Sequence, residues 1–271
     1  MSRRVILLAT GLLAAGLLLA VALRRPTHSR RWVAEQSRLP EATVTGDRVT
    51  VREVRNFRWT GPASFVPAWE ERQYQLDQLA TVWYVLVPFS RRWRGAAHSF
   101  VSFGFDDGRY LAISVEARRE AGERYGVIAG LLRRFELIYV IGDERDLIGR
   151  RAVYDGSDVY LYPIRASRAA IRAMFLGMLE RANQLRRRPE FYNTLTNNCT
   201  LNLVRHVNAV APGLVRVSWR VLAPGYSDEV AYRLGLIATP DSMAEARLRF
   251  RINDRAREAL HDAEFSRRLR D

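Results

Sequence analysis

This 271-residue chain carries 43 basic and 29 acidic side chains, a formal charge of +14, and 48% apolar residues with ordinary glycine and proline content. That excludes a disordered or low-complexity chain and fits one sizeable core plus an appendage. A lone cysteine, Cys199, excludes an internal disulfide and a multi-thiolate zinc centre. All 43 basic residues are arginine, a usage that codon bias produces, and the charge itself favours anionic surfaces, either lipid headgroups or nucleic acid.

The N-terminus decides between those surfaces. Val5–Leu23 is an uncharged run bounded by Arg3-Arg4 and Arg24-Arg25, and at 1.5 Å per residue it spans roughly 28 Å, close to a bilayer's hydrocarbon thickness. We expect residues 1–25 to be a retained transmembrane helix, with cleavage after the small residues Ala20-Val21-Ala22 as the alternative. Four arginines follow within residues 24–31 and two precede, so the positive-inside rule alone would leave the body in the cytoplasm.

Residues 26–60 read as a basic tether followed by short strands, with alternation around Val49, Val51 and Val54. Residues 61–240 hold the main domain. Thr81–Val87 is a short apolar run bounded by Pro88 and predicts a buried strand. Ala97–Phe105 and Arg109–Ala117 flank Asp106-Asp107-Gly108, a hairpin signal. A three-residue connection sets His98 opposite Glu116; a two-residue connection sets it opposite Ala117 and turns Glu116 away. In the first register the carboxylate can orient the imidazole, as in a nucleophile–base–orienter set. In the second, Glu116 pairs with Arg118 or Arg119 and His98 is a surface residue. Phe135–Ile141 and Asp158–Ile164 predict further strands, and Asp143-Glu144-Arg145-Asp146 is either a solvated turn or a brace for the site. Ser167 should cap a helix to about Arg186, with Ile171, Met174, Phe175, Met178, Leu179, Ala182 and Leu185 as its buried stripe.

The segment Phe191–Asn202, FYNTLTNNCTLN, contains Cys199. Asn197 and Asn198 are favoured helix N-cap residues, and Leu201, Leu203, Val204 and Val207 give the following helix one apolar side. Cys199 is then in a first turn, where aligned peptide dipoles favour negative charge on a nucleophilic thiol. The alternative is a small buried hydrophobe. His206, on the same helix, lies about 10 Å along the axis from Cys199, too far for the ~3 Å of a hydrogen bond. His28 falls in the tether and His261 in the tail, so His98 is the best candidate base. No glycine-rich phosphate loop or metal-binding motif is present, and no metal or cofactor is expected. Residues 241–271 read as an exposed, charged, amphipathic helical tail.

The segments HSFVSFGFDDGRYLAISVEARRE (98–120), FELIYVIGDERD (135–146), DVYLYPI (158–164) and RRPEFYNTLTNNCTLNL (187–203) resemble the Lnb N-terminal periplasmic domain family over roughly residues 30–240. That family is similar to circularly permuted papain-like enzymes of the NlpC type. The resemblance implies an α+β fold, an antiparallel sheet packed on helices, with a histidine on an early strand and an Asn-Cys pair opening a later helix. His98 precedes Asn198-Cys199 in that order. It further implies Cys199 as nucleophile, His98 as base, Glu116 as the third polar residue, and an oxyanion held by the Cys199 backbone N–H with Asn198 or Asn197. The implied activity is lipoprotein N-acylation at the periplasmic face of the bacterial inner membrane. The partners would be membrane phospholipid and a diacylated lipoprotein, not nucleic acid, with the oligomeric state left open. An NlpC-type thiol hydrolase (cell-wall amidase, endopeptidase or lipase) and a non-catalytic envelope scaffold are the alternatives.

Overall fold

The computed structural model describes residues 11–13, 15, 16, 19–90 and 92–271. The apolar run expected as an anchor falls partly on residues 5–10, 14, 17 and 18, outside the described residues. Among the described residues, no helix is long and apolar enough to cross a membrane.

The strands are β1 (Glu41–Thr45), β2 (Arg48–Arg55), β3 (Arg58–Trp59), β4 (Phe65–Val66), β5 (Trp69–Gln75), β6 (Leu79–Pro88), β7 (Ala97–Phe105), β8 (Tyr110–Arg118), β9 (Glu136–Gly142) and β10 (Tyr160–Pro163). Among the described residues, eight of them build one sheet in the order β1-β2-β9-β8-β7-β6-β10, with β5 also pairing β2. The segment expected as tether and short strands thus supplies β1 and β2 to the main sheet. The fold is α+β, but the sheet is mixed where an antiparallel one was expected. At Arg55 and Gly142, β2 meets β9 in parallel. A side chain at Gly142 would lie 2.7 Å from the Arg55 carbonyl oxygen, so glycine is what lets the two backbones approach there.

β7 and β8 form the expected hairpin. The Phe105 amide donates to the Arg109 carbonyl at 3.0 Å, and Gly108 takes a left-handed φ of 82°, which glycine adopts without steric cost. Of the two possible registers, the three-residue connection is therefore realised, and Val101 stands opposite Ile113.

Helices cover both faces. After the short α1 (Val127–Leu131) and a π-helix over Arg145–Tyr154 come α2 (Arg168–Arg187) and α3 (Cys199–Val210) on the first face. Ser167 caps α2, accepting from the Ala170 amide at 3.2 Å. The stripe Ile171, Met174, Phe175, Met178, Leu179, Ala182 and Leu185 is buried against Val101, Phe103 and Tyr139. Next are α4 (Trp219–Leu222) and α5 (Ser227–Arg233), and then the C-terminal helices α6 (Met243–Phe250), α7 (Asn253–Ala259) and α8 (Phe265–Arg268).

The C-terminal segment is not an exposed tail. Ile252, Ala256, Ala259, Phe265 and Leu269 are at most 1% exposed and pack with Phe100, Ile138 and Leu147 on the second face of the sheet. Few large apolar side chains suffice because alanines let α7 approach closely. Arg270 then clamps the buried Glu144 through two bonds of 2.6 and 2.9 Å.

Candidate active site

Cys199 opens α3, and the loop before it is fixed by asparagines. Asn193 and Asn197 exchange backbone hydrogen bonds of 3.1 and 2.9 Å. The Asn198 side-chain oxygen caps the helix, accepting the Leu201 amide at 2.9 Å, while its nitrogen donates to the Thr194 carbonyl at 2.6 Å. The Asn197 nitrogen donates to the Phe191 carbonyl at 3.0 Å, and its oxygen accepts from Asn202 and Arg205. Both amides, expected beside an oxyanion, are thus spent on the loop, and neither lines the cavity onto which Cys199 opens. Cys199 itself is 5% exposed. As the first helical residue it carries one of the backbone N–H groups that a helix leaves without an internal acceptor.

His98 begins the hairpin. Its Nε2 lies 2.7 Å from Ser114 Oγ, and Ser114 donates to Glu116 Oε1 at 2.9 Å. The direct distance from Nε2 to Glu116 Oε1 is 3.8 Å, beyond a hydrogen bond. Glu116 also accepts from Arg151 Nη2 at 2.9 Å and from Gln36 Nε2 at 2.8 Å. Burial alone would raise the Glu116 carboxyl, but Arg151, with Arg55 and the Gln36 hydrogen bond, outweighs it and holds the group well below the usual carboxylate range. An ionised Glu116 only accepts, so the Ser114 hydroxyl proton is committed to it, and Ser114 must accept from His98 Nε2–H. That fixes the tautomer and leaves the lone pair on Nδ1. Burial, reinforced by the Arg151 guanidinium and opposed by Glu116, brings the imidazole down to about 3. His98 is neutral at physiological pH, in the protonation state a general base needs.

The two halves of the site come from opposite faces of the sheet. His98 stacks on Phe100, a second-face core residue, whereas Cys199 belongs to the first-face core. They share a cavity of about 240 Å³ that wraps the strand ends, where β7 begins and β8 finishes; Arg55, Arg119, Arg150, Arg151 and Tyr192 help to line it. Direct bonds join His98, Ser114 and Glu116. The bonded neighbour of the thiol is Thr200 Oγ1, at 3.8 Å.

The acidic run resolves into a brace. Asp146 is fully buried; it accepts two bonds from Arg55, at 2.8 and 3.0 Å, and one each from the Phe57 amide and Trp59 Nε1. His206 packs against Tyr139, whose hydroxyl lies 2.8 Å from its Nε2. His28 meets the Leu185 carbonyl at 3.0 Å. Among the described residues, no group of three or more His, Cys, Asp or Glu is arranged to hold a metal ion. Ser114, Gln36 and Arg151 have no role in the sequence-based expectation. Ser114 had a signal, lying two residues before Glu116 and hence on the same strand face. Gln36 and Arg151 had none, since distant segments bring them in.

Residues 65–225 match the family model described as the Lnb N-terminal periplasmic domain. No curated protein and no solved structure matches the chain.

Proposed function

Because this chain belongs to the Lnb N-terminal periplasmic domain family, we propose that it is a periplasm-facing, envelope-associated cysteine acyltransferase. It would move an acyl chain from membrane phospholipid, through a Cys199 thioester, to the N-terminal amine of a diacylated lipoprotein. The order of His98 and Asn198-Cys199 supports reading the fold as a permuted papain-like one. The observation that carries the proposal is that a helix-opening thiol and a neutral, oriented imidazole line one cavity.

In the first step, His98 Nδ1 takes the thiol proton across the cavity through bridging water. The thiolate attacks the ester carbonyl carbon, and the Cys199 N–H, with other donors in the wall, stabilises the resulting oxyanion. As the tetrahedral intermediate collapses, the C–O bond breaks and His98 returns its proton to the lyso-lipid oxygen. In the second step, the lipoprotein amine attacks the thioester, the C–S bond breaks, and His98 takes the excess amine proton. Ser114 and Glu116 act as positioning residues that hold the tautomer, while Asn197 and Asn198 set the position of the thiol. Arg119 in the cavity wall supplies positive charge suited to a lipid phosphate, while Arg150 there is paired with Glu35 and Asp155.

The test is mass spectrometry of lipoprotein N-termini in a cell lacking its own lipoprotein N-acyltransferase. Wild type restores N-acylation, Cys199→Ser abolishes it, and His98→Ala lowers the rate by roughly 10²–10⁴-fold. Wild-type acylation by either variant would overturn the mechanism. An acyl label on wild-type protein that hydroxylamine removes identifies the thioester.

A further inference from the structure

A second cavity, of about 280 Å³, begins one residue past the nucleophile. Thr200 lines it, and from there it follows α3 through Leu203, Val204 and Val207 to Val210. Its other walls include Tyr84 on β6, Val101 on β7, Ala170 on α2 and Ala231 on α5, and its lining is almost entirely aliphatic. Protein interiors are packed densely, with few voids larger than a water molecule. A large apolar cavity costs stability when it is empty and takes up apolar ligands readily.

Hydrogen-bonded side chains close this cavity at the thiol end. Thr200 Oγ1, the bonded neighbour of the thiol, lies 2.9 Å from Ser99 Oγ. The Tyr84 hydroxyl lies 2.6 Å from Ser227 Oγ, and both residues line the apolar cavity. From Thr200 to Val210 the lined face of α3 is about 15 Å long. An extended chain covers about 1.2 Å per bond, since an extended residue spans ~3.6 Å in three bonds. That length therefore suits an alkyl chain of roughly twelve carbons.

We propose that this cavity seats the acyl chain of the Cys199 thioester, which enters past the Thr200–Ser99 pair, with its carbonyl at the α3 N-terminus and its methyl end towards Val210 and Ala170. The proposal rests on the acyltransferase reading and adds a determinant to it: the cavity's depth sets which chain lengths the enzyme transfers. The occupant is an alkyl chain because the walls offer almost no polar partner and the buried inner end, at Thr200, lies one residue from the only thiol in the chain.

Two measurements on the full-length protein test it. In the first, Cys199→Ser protein, which lacks the thiol, is photolabelled with a long-chain fatty acid bearing a terminal diazirine. Label mapped to the walls of this cavity supports the proposal, and label confined to other regions overturns it. In the second, wild type, Ala170→Phe and Ala231→Phe are incubated with vesicles of phosphatidylethanolamine bearing ten- or sixteen-carbon chains, and the thioester is read by intact mass. Both variants should favour the short chain by tenfold or more over wild type, since each excluded methylene removes binding energy. Unchanged selectivity in both folded variants overturns the proposal. If label maps to the cavity while wild type never forms a thioester, the cavity assignment stands and the acyltransferase reading falls.

Discussion

Two cavities of similar size meet at the N-terminus of α3, and they are built in opposite ways. The site cavity is walled by charged and hydrogen-bonded side chains whose positions are over-determined: Glu116 alone is held by Ser114, Gln36 and Arg151. The neighbouring cavity is walled mostly by aliphatic side chains that constrain shape, and the hydroxyls of Tyr84, Thr200 and Ser227 in its wall are already hydrogen-bonded. The boundary between them falls between consecutive residues, Cys199 and Thr200. A reaction that cuts a polar ester from a long apolar tail needs both environments adjacent, and one helix turn supplies them.

The largest expected effect on that contrast comes from removing its polar brace. Asp146→Ala leaves Arg55 buried without its partner and should cost about 3–5 kcal/mol of stability, measured by chemical denaturation. A loss under 1 kcal/mol would mean the brace is dispensable. A smaller, more specific effect is expected from Arg151→Met, which removes the cation that helps burial to depress His98. The His98 pKa then rises towards its ordinary value. The wild-type base stays neutral and competent as pH falls well below 6, whereas the variant is protonated, and stops accepting a proton, at higher pH. The acid limb of thioester formation should therefore move upward in a profile from roughly pH 4 to 8, with chain-length preference unchanged. An unmoved limb would remove Arg151 from the account. The smallest effect is expected from Asn198→Ala, which deletes the cap of α3 and should lower stability by about 1 kcal/mol. Neutrality in thermal unfolding would show that the loop holds without the cap.

Much of this arrangement was legible in local sequence. The stripe of α2, the cap at Ser167, the position of Cys199 in a first turn and the β7–β8 hairpin all follow from periodicity and turn chemistry within a few residues. The pairing of His98 with Glu116 was half legible, because pleating puts them on one face once the loop length is known. The intervening hydroxyl of Ser114 is what connects them. Arg151 and Gln36 were not legible, since they reach Glu116 from a π-helix and from a segment 80 residues upstream. The packed C-terminal helices were misread for a related reason. A run with few large apolar residues looks solvated until the sheet's second face, assembled from distant strands, is there to receive its alanines and Phe265.

The cations around the site cavity, Arg55, Arg119, Arg150 and Arg151, are all guanidinium groups. A guanidinium stays protonated at any pH a protein meets and is no acceptor for an acyl group. A lysine in the same wall would present an amine to a thioester at Cys199, and the first turnover would end as an amide on the protein itself. With no lysine anywhere in its 271 residues, the chain offers an acyl group no side-chain amine of its own, so the thioester proposed at Cys199 would keep for the incoming acceptor.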